Sequence, residues 1–417
     1  MRYSRPSMTT AGDRSAGSIF ASAGFRQFFI GQSLSYVGDG LRTLAVPLLA
    51  FHLTHSALAT GTALICEVAP FSLFAVIGGS LADRIDRRRL MIGCDAVRFL
   101  VMAFFAVAYG MHFLTLPMIY GGLVVISICA AAFLGGQSTS IPYLLGRERS
   151  TEAMAALIGV ENASNLITPV IGGALFAYFG PLPALAINAL TYLGSQISLL
   201  RIPSLGPDQL SGGPSAREVA QDAALGFRHV LQDRGMRAQA TAAFFLNFLG
   251  FGAYAILIPF LKRDFAATDQ QVGIVLGITA VGSMLGAYVA GTTAKRWPFG
   301  RAITTAYLFD AIVFIPVVLV SNIWLAALFW SLSSMAASYE VTQIIGWRMR
   351  VTPENVVGRV MGIVRLIVLA GMAPGVLLFG WIADHRGAHP AMAVAAYGYL
   401  VIAIVAFLTP AIRNEAR

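Results

Sequence analysis

The chain has 417 residues, 57% of them hydrophobic and only 12% charged, with a mean hydropathy of +0.72. Soluble domains carry roughly a quarter charged residues, so this chain has too little charge to coat soluble surfaces, and its apolar residues fall in runs of about 20, long enough to cross a bilayer. A soluble enzyme is excluded and a polytopic all-α membrane protein is expected. The net charge of +9, from 29 Lys+Arg against 20 Asp+Glu, would suggest nucleic acid in a soluble domain. Here it suggests basic loops that hold one face of the protein in the cytoplasm.

In chain order, residues 1–24 are polar and basic with no apolar core, which suits a cytoplasmic tail better than a signal peptide. Twelve apolar segments follow, near 25–52, 57–82, 89–110, 114–138, 153–179, 182–202, 237–262, 270–295, 301–320, 323–346, 356–383 and 388–410. Most Lys and Arg between them fall on the side of the N-terminus; Lys262, Arg263 and Arg386 fall on the other. Both termini are therefore expected in the cytoplasm. The Lys262–Arg263 pair breaks the rule, with Asp264 and Asp269 as its neighbours.

The polar stretch 203–236 divides the segments six and six. Val219, Ala223, Phe227 and Val230 recur in it at helical spacing, as in an amphipathic helix on the membrane surface. The expected organisation is a tail (1–24), an N-terminal six-helix bundle (25–202), a linker (203–236), a C-terminal six-helix bundle (237–410) and a short tail (411–417). The halves resemble each other. Gly79 through Arg89 followed by Asp95 matches Gly291 through Arg301 followed by Asp310. Pro142 to Arg147 matches Pro353 to Arg359, and Pro169 matches Pro374. Two parallel repeats imply a pseudo-two-fold axis along the membrane normal, with a site between the halves.

Gly79, Asp83, Arg84, Arg87 and Arg88 carry a specific likeness. The segment resembles the loop 2–3 signature of the major facilitator superfamily, with Asp86 where the signature usually has glycine. Ser35 to Gly40, Asp95 to Arg98, Asn188-Ala189 and Thr352 to Val360 extend the likeness toward the branch of enterobactin exporters and macrolide efflux proteins. The resemblance implies the major facilitator fold, with 12 transmembrane helices in two pseudo-symmetric six-helix bundles. It also implies a cytoplasmic latch of Gly79, Asp83, Arg84, Arg87, Arg88, Asp95 and Arg98, with Asp310, Arg359 and Arg365 as its second-half counterpart. Plain topology anchoring is the alternative for Arg87 to Arg89. Segment 5 carries Ser164, Thr168, Pro169, Gly172 and Gly173, which resembles an exporter signature. The alternative is that crowded membrane helices collect Gly and Pro in any case. Segment 4 lacks the arginine that many proton-linked exporters carry there.

Ionisable groups in a bilayer core cost several kcal/mol, so each needs a reason. Asp39 lies 13 residues beyond Arg26, about 20 Å along a helix. Arg42 follows on the same face, and Glu67 sits at a comparable height. Asp39, Arg42 and Glu67 are candidates for proton coupling; a fixed Asp39–Arg42 pair is the alternative. Asn247, Phe251 and Tyr254 share one face of segment 7 and, with Tyr339, Glu340 and Gln343 on segment 10, are candidates to line a substrate cavity. Aromatic stripes also simply pack. The histidines read as interfacial polar groups, the three cysteines (Cys66, Cys94, Cys129) as buried residues, and no metal site or cofactor is expected.

The sequence thus predicts a monomeric secondary active exporter in the cell inner membrane, with both termini cytoplasmic. It would be a proton-coupled antiporter of a drug, siderophore or other small amphipathic metabolite, with the lipid bilayer and no nucleic acid as its surroundings. A lipid-flipping transporter of the same fold and a non-transporting membrane sensor are the alternatives.

Overall fold

The computed structural model describes residues 18–82, 85–146, 148–205, 225, 227–228, 230–293, 297–353, 356–413 and 415, excepting the side chains of 76–82, 358, 359 and 365. Among these residues the protein is helical, with no strand. The N-terminal half comprises α1 (Ala23–Thr54), α2 (Ala57–Ala82), α3 (Arg87–Gly110), α4 (Leu116–Leu145), α5 (Ser150–Phe179) and α6 (Pro181–Leu200). The C-terminal half comprises α7 (Arg234–Ala255), α8 (Leu257–Asp264), α9 (Asp269–Thr293), α10 (Phe299–Leu319), α11 (Ile323–Val351), α12 (Val357–Arg386), α13 (Ala388–Leu408) and a last turn, α14 (Pro410–Arg413). Most of the expected amphipathic linker helix lies outside the described residues.

Local chemistry sets the helix ends. Side-chain oxygens of Ser22, Asp86, Asp233 and Asn322 accept from free N–H groups in the first turns of α1, α3, α7 and α11. α1 ends at His55, which turns the chain with a left-handed φ of 52°. The expected seventh segment is continuous, but the structure breaks it into α7 and α8 with a 45° bend. Pro259 accounts for the break, because it has no N–H to give to the Ala255 carbonyl one turn back.

Among the described residues, eight helices are long and apolar enough to cross a membrane by length and composition, or nine if α7 and α8 count as one span. The shortfall from twelve has a physical cause. α1, α6 and α11 turn polar residues such as Gln32, Arg42, Asn188, Ser195, Glu340 and Arg348 into the bundle, where they are buried. Their apolar fraction is lowered without exposing charge to lipid. The outer surface is apolar instead: Leu100 and Ile312 are each 63% exposed, a pattern that suits hydrocarbon as the surrounding solvent.

Packing repeats between the halves. In the N-terminal half, α2 packs on α4, α5 and α6 on α1, and α4 and α6 on α3. The C-terminal half shows the same set: α9 on α11, α12 and α13 on α7, and α11 and α13 on α10. Two symmetric seams join the halves, α2 against α12 and α5 against α9. At the second seam, a Cβ on Gly173 would come within 2.9 Å of the Gly273 Cα, and one on Gly273 would collide with the Pro169 carbonyl. Apolar side chains gain little by leaving lipid for each other, so such backbone-to-backbone contact is how membrane helices adhere.

Candidate functional site

Three groups of polar residues stand out, at the far face (the end away from the chain termini), in the N-terminal half and in the C-terminal half. At the far face the carboxylate of Asp384, near the end of α12, spans the two halves. It accepts from Ser56 Oγ at 2.6 Å, from the backbone N–H of Ala57 at 2.7 Å and Leu58 at 3.1 Å, and from Arg263 at 3.2 Å. Asp384 thereby caps α2 from the opposite half, where the helix dipole favours a negative charge. Arg263 also donates to the carbonyls of Ala383 (2.9 Å) and His55. Beside it, Asp269 pairs with Lys262 within its own half and with His52 of α1 at 3.0 Å. Gly380 lies against the backbone of Leu58, where a Cβ would approach the Leu58 Cα to 2.7 Å. Charge pairs and close backbone contact thus seal this face, and the two cations that broke the loop-charge rule are part of the seal. Sequence reasoning missed this latch; its one signal was Lys262 and Arg263 lying where few cations belong.

In the N-terminal half, Arg42 joins both acids expected near it. It lies 3.3 Å from Asp39 and 2.8 Å from Glu67, and Tyr192 donates to Asp39 at 2.6 Å. Two carboxylates thus share one guanidinium. Asp95 and Arg98 sit deeper. They are 0% and 3% exposed, pair with each other at 3.6 Å, and place the guanidinium over the rings of Phe133 and Tyr192. They face α4 and α6 inside their own bundle, away from the opposite half.

The loop before α3 is bound to its own half as well. Arg87 donates to Thr139 Oγ1 at 2.9 Å and to the Leu205 carbonyl at 3.0 Å; Arg88 donates to the carbonyls of Leu199 and Leu200 at the end of α6. Asp86 caps α3 through the Arg89 N–H (2.9 Å) and accepts from the Leu205 N–H (3.1 Å) and the Ser204 hydroxyl. The residue that departs from the family signature therefore clamps the start of the linker. Burial raises the Asp86 pKa, but the Ser204 hydroxyl, the Arg89 and Leu205 N–H groups and the Arg89 charge outweigh it and leave it below the ordinary carboxylate value. A depressed pKa stabilises the clamp above the ordinary carboxylate range, and that contribution is lost as pH falls through the lower folded value. Asp86→Ala should cost about 1–2 kcal/mol locally. Hydrogen exchange at neutral pH should then show the Arg89 and Leu205 amides opening about tenfold faster, and unchanged protection would refute the clamp. Asp83 and Arg84 of the expected latch lie outside the described residues; Gly79, Arg359 and Arg365 are described only as helix backbone.

The C-terminal half encloses a cavity of about 400 Å³ lined by Asn247, Phe251, Tyr254, Asp310, Phe314, Trp330, Ser333, Glu340 and Tyr399, among others. Four of the residues expected at a substrate cavity (Asn247, Phe251, Tyr254 and Glu340) come together here. Asp310, expected at a second-half gate, also lines it, with a hydrogen bond from Ser333 at 2.5 Å. Tyr339 and Gln343 go elsewhere: Gln343 donates to the Ala290 carbonyl and Thr293, Thr293 donates to Tyr339, and both residues serve the α9–α11 contact. Tyr254 also borders a smaller cavity of about 170 Å³ that includes Glu67, between the halves. On α5, Thr168 donates to the Ser164 carbonyl at 2.6 Å and lies against Gly40; Gly172 adjoins Leu41 and Leu44, and Pro169 with Gly173 forms the seam to α9.

This two-bundle architecture coincides with what comparison of sequences shows. The profile of the Major Facilitator Superfamily matches residues 28–364 and 240–416. The chain belongs to that superfamily. It is 25% identical to the enterobactin exporter EntS of Escherichia coli O1:K1 / APEC over 399 residues, covering 92% of this chain and 91% of the relative. The EntS of Citrobacter koseri matches at the same identity and coverage. Among solved structures, a bacterial homologue of the human lysosomal transporter Spinster, inward-facing and unoccupied, superposes with a TM-score of 0.75 at 14% identity, covering 96% of this chain and 99% of that one. The nucleoside transporter NupG gives 0.72 at 12% identity, covering 92% and 99%. The chain is accordingly a multi-pass membrane transporter of the all-α major facilitator fold.

Proposed function

We propose that this transporter is a secondary active exporter of a small amphipathic molecule, driven by inward proton flow across a bacterial inner membrane, with both termini in the cytoplasm. The observation that carries the reading is the pairing of a sealed far face with acid-lined cavities within and between the bundles. Such a molecule loads from the open side and must rock its halves to unload on the other. The excess of Lys and Arg on the termini side supports a cytoplasmic location for that side, and on this reading the sealed far face is the closed outer gate. The EntS relatives export their substrate, and the Thr168–Gly173 element at the α5–α9 seam supports the same direction here. No phosphate-binding glycine loop occurs in the sequence, which argues against direct ATP coupling.

The Asp39–Arg42–Glu67 group is the proposed proton carrier. Its surplus carboxylate takes a proton from outside and releases it to the cytoplasm as the halves tilt. Asp39→Asn removes the surplus. In liposomes with an imposed pH gradient, this variant should insert normally and lose at least tenfold in gradient-driven efflux of a dye substrate. Wild-type rates from the variant would remove Asp39 from the mechanism. Lipid flipping that depends on headgroup and ignores the gradient would replace the exporter reading with a flippase.

A further inference from the structure

The C-terminal cavity holds two carboxylates that no cation answers among the described residues. Asp310 is 1% exposed and Glu340 is 5% exposed. Both line the cavity, yet Asp310 Oδ2 and Glu340 Oε1 have no hydrogen-bond partner, and among the described residues neither acid has an ion pair. The two lie within electrostatic range of each other. In the N-terminal half, by contrast, Asp39 and Glu67 face Arg42, and Asp95 faces Arg98.

Among the described residues, the titratable groups facing the pair are phenols: Tyr307 on α10, Tyr254 on α7 and Tyr399 on α13. Arg348 is the nearest arginine on the same helix, two turns from Glu340, and it faces Tyr307. A buried carboxylate with no cation beside it and few hydrogen bonds favours taking up a proton. The cavity is therefore built to hold either protons or a positively charged guest.

We propose that this cavity selects cationic amphiphiles, with Asp310 and Glu340 as the counter-charges and the rings of Phe251, Phe314, Trp330 and Tyr399 around the guest. Aromatic faces attract a desolvated cation through their quadrupoles, and a largely apolar cavity of several hundred Å³ with a few convergent polar groups suits a drug-sized molecule. Binding a cation displaces a proton from the acids, so the two compete for one place. This substrate class rests on the exporter reading for its direction of travel, but binding itself does not depend on transport. It is not carried over from the EntS relatives.

The test uses purified full-length protein in detergent, with radiolabelled tetraphenylphosphonium and its same-shaped anion, tetraphenylborate, as probes against protein-free blanks. Tetraphenylphosphonium should bind at least tenfold more tightly. Its affinity should fall about tenfold per pH unit on acidification, as for exchange with one proton. Asp310→Asn and Glu340→Gln should each weaken it at least tenfold, and Glu152→Gln, on the exposed start of α5, should not. Should either cavity variant fail to fold, the wild type still decides. Adding tetraphenylphosphonium in weak buffer should release about one proton per bound cation. Equal affinity for the two ions, unchanged binding by well-folded variants, or binding without proton release overturns the proposal. Cation binding with no gradient-driven flux of any solute sinks the exporter reading and leaves this site standing. Gradient-driven flux of other solutes without tetraphenylphosphonium binding does the reverse.

Discussion

Asp384→Ala should open the far face. The carboxylate accepts four hydrogen bonds, three of them from α2 and its preceding residue in the opposite half. Removing it strips the first turn of α2 of its cap and leaves Arg263 without its charge partner. Charge-assisted bonds contribute about 1.5–3 kcal/mol each where buried, and partial exposure of both side chains reduces this. A net loss of about 2–3 kcal/mol shifts the balance between sealed and open forms by roughly 30- to 150-fold. Spin labels at Leu53→Cys and Arg386→Cys, both exposed at this face, should show a longer distance in the variant. Asp384→Asn, which retains acceptor capacity without the charge, should fall between. An unchanged distance distribution in Asp384→Ala would show that apolar packing at the seams, and not this carboxylate, holds the face shut.

The second large effect is expected at Arg42. Its side chain is 7% exposed and answers two acids at once. Arg42→Ala leaves Asp39 and Glu67 without their shared cation in a low-dielectric setting. Breaking a buried pair in this way costs about 3–5 kcal/mol, and the partial exposure of the two acids, 32% and 22%, lowers the expectation to about 2–3 kcal/mol. The thermal midpoint in detergent should fall clearly. The triple variant Asp39→Asn, Arg42→Ala, Glu67→Gln should recover most of the loss, because no charge is then stranded. Arg42→Lys should recover only part, since an ammonium lacks the planar fork that reaches both carboxylates. An Arg42→Ala midpoint equal to wild type would mean the acids are already neutral or hydrated.

Legibility in the sequence followed the range of the interaction. The Asp39–Arg42 contact is an i, i+3 pair and could be read from spacing alone. Glu67 could be placed only by height, and its bond to Arg42 needed the packing of α1 beside α2. Asp384 and Arg263 are separated by 121 residues, so nothing local announces their meeting; the charge-rule exception at Lys262–Arg263 was the sole hint. The division on α11 was readable in principle. Residues 337, 340, 341 and 344 line the cavity, while Tyr339 and Gln343, one turn apart, share the stripe that faces α9. The bend between α7 and α8 was also available, in Pro259, though the uninterrupted apolar run masked it. Asp86 could be flagged as a departure from the family pattern, but its bonds to Ser204 and Leu205 depend on where the linker starts.

The central claim is that the two faces open in alternation and that protonation sets which is open. Two distances measured together in nanodiscs test it: Leu53→Cys with Arg386→Cys at the far face, and Glu148→Cys with Arg350→Cys at the termini face. As pH is lowered from neutral, the first distance should lengthen while the second shortens. Distances that move together, or that ignore pH in folded protein, would contradict the account.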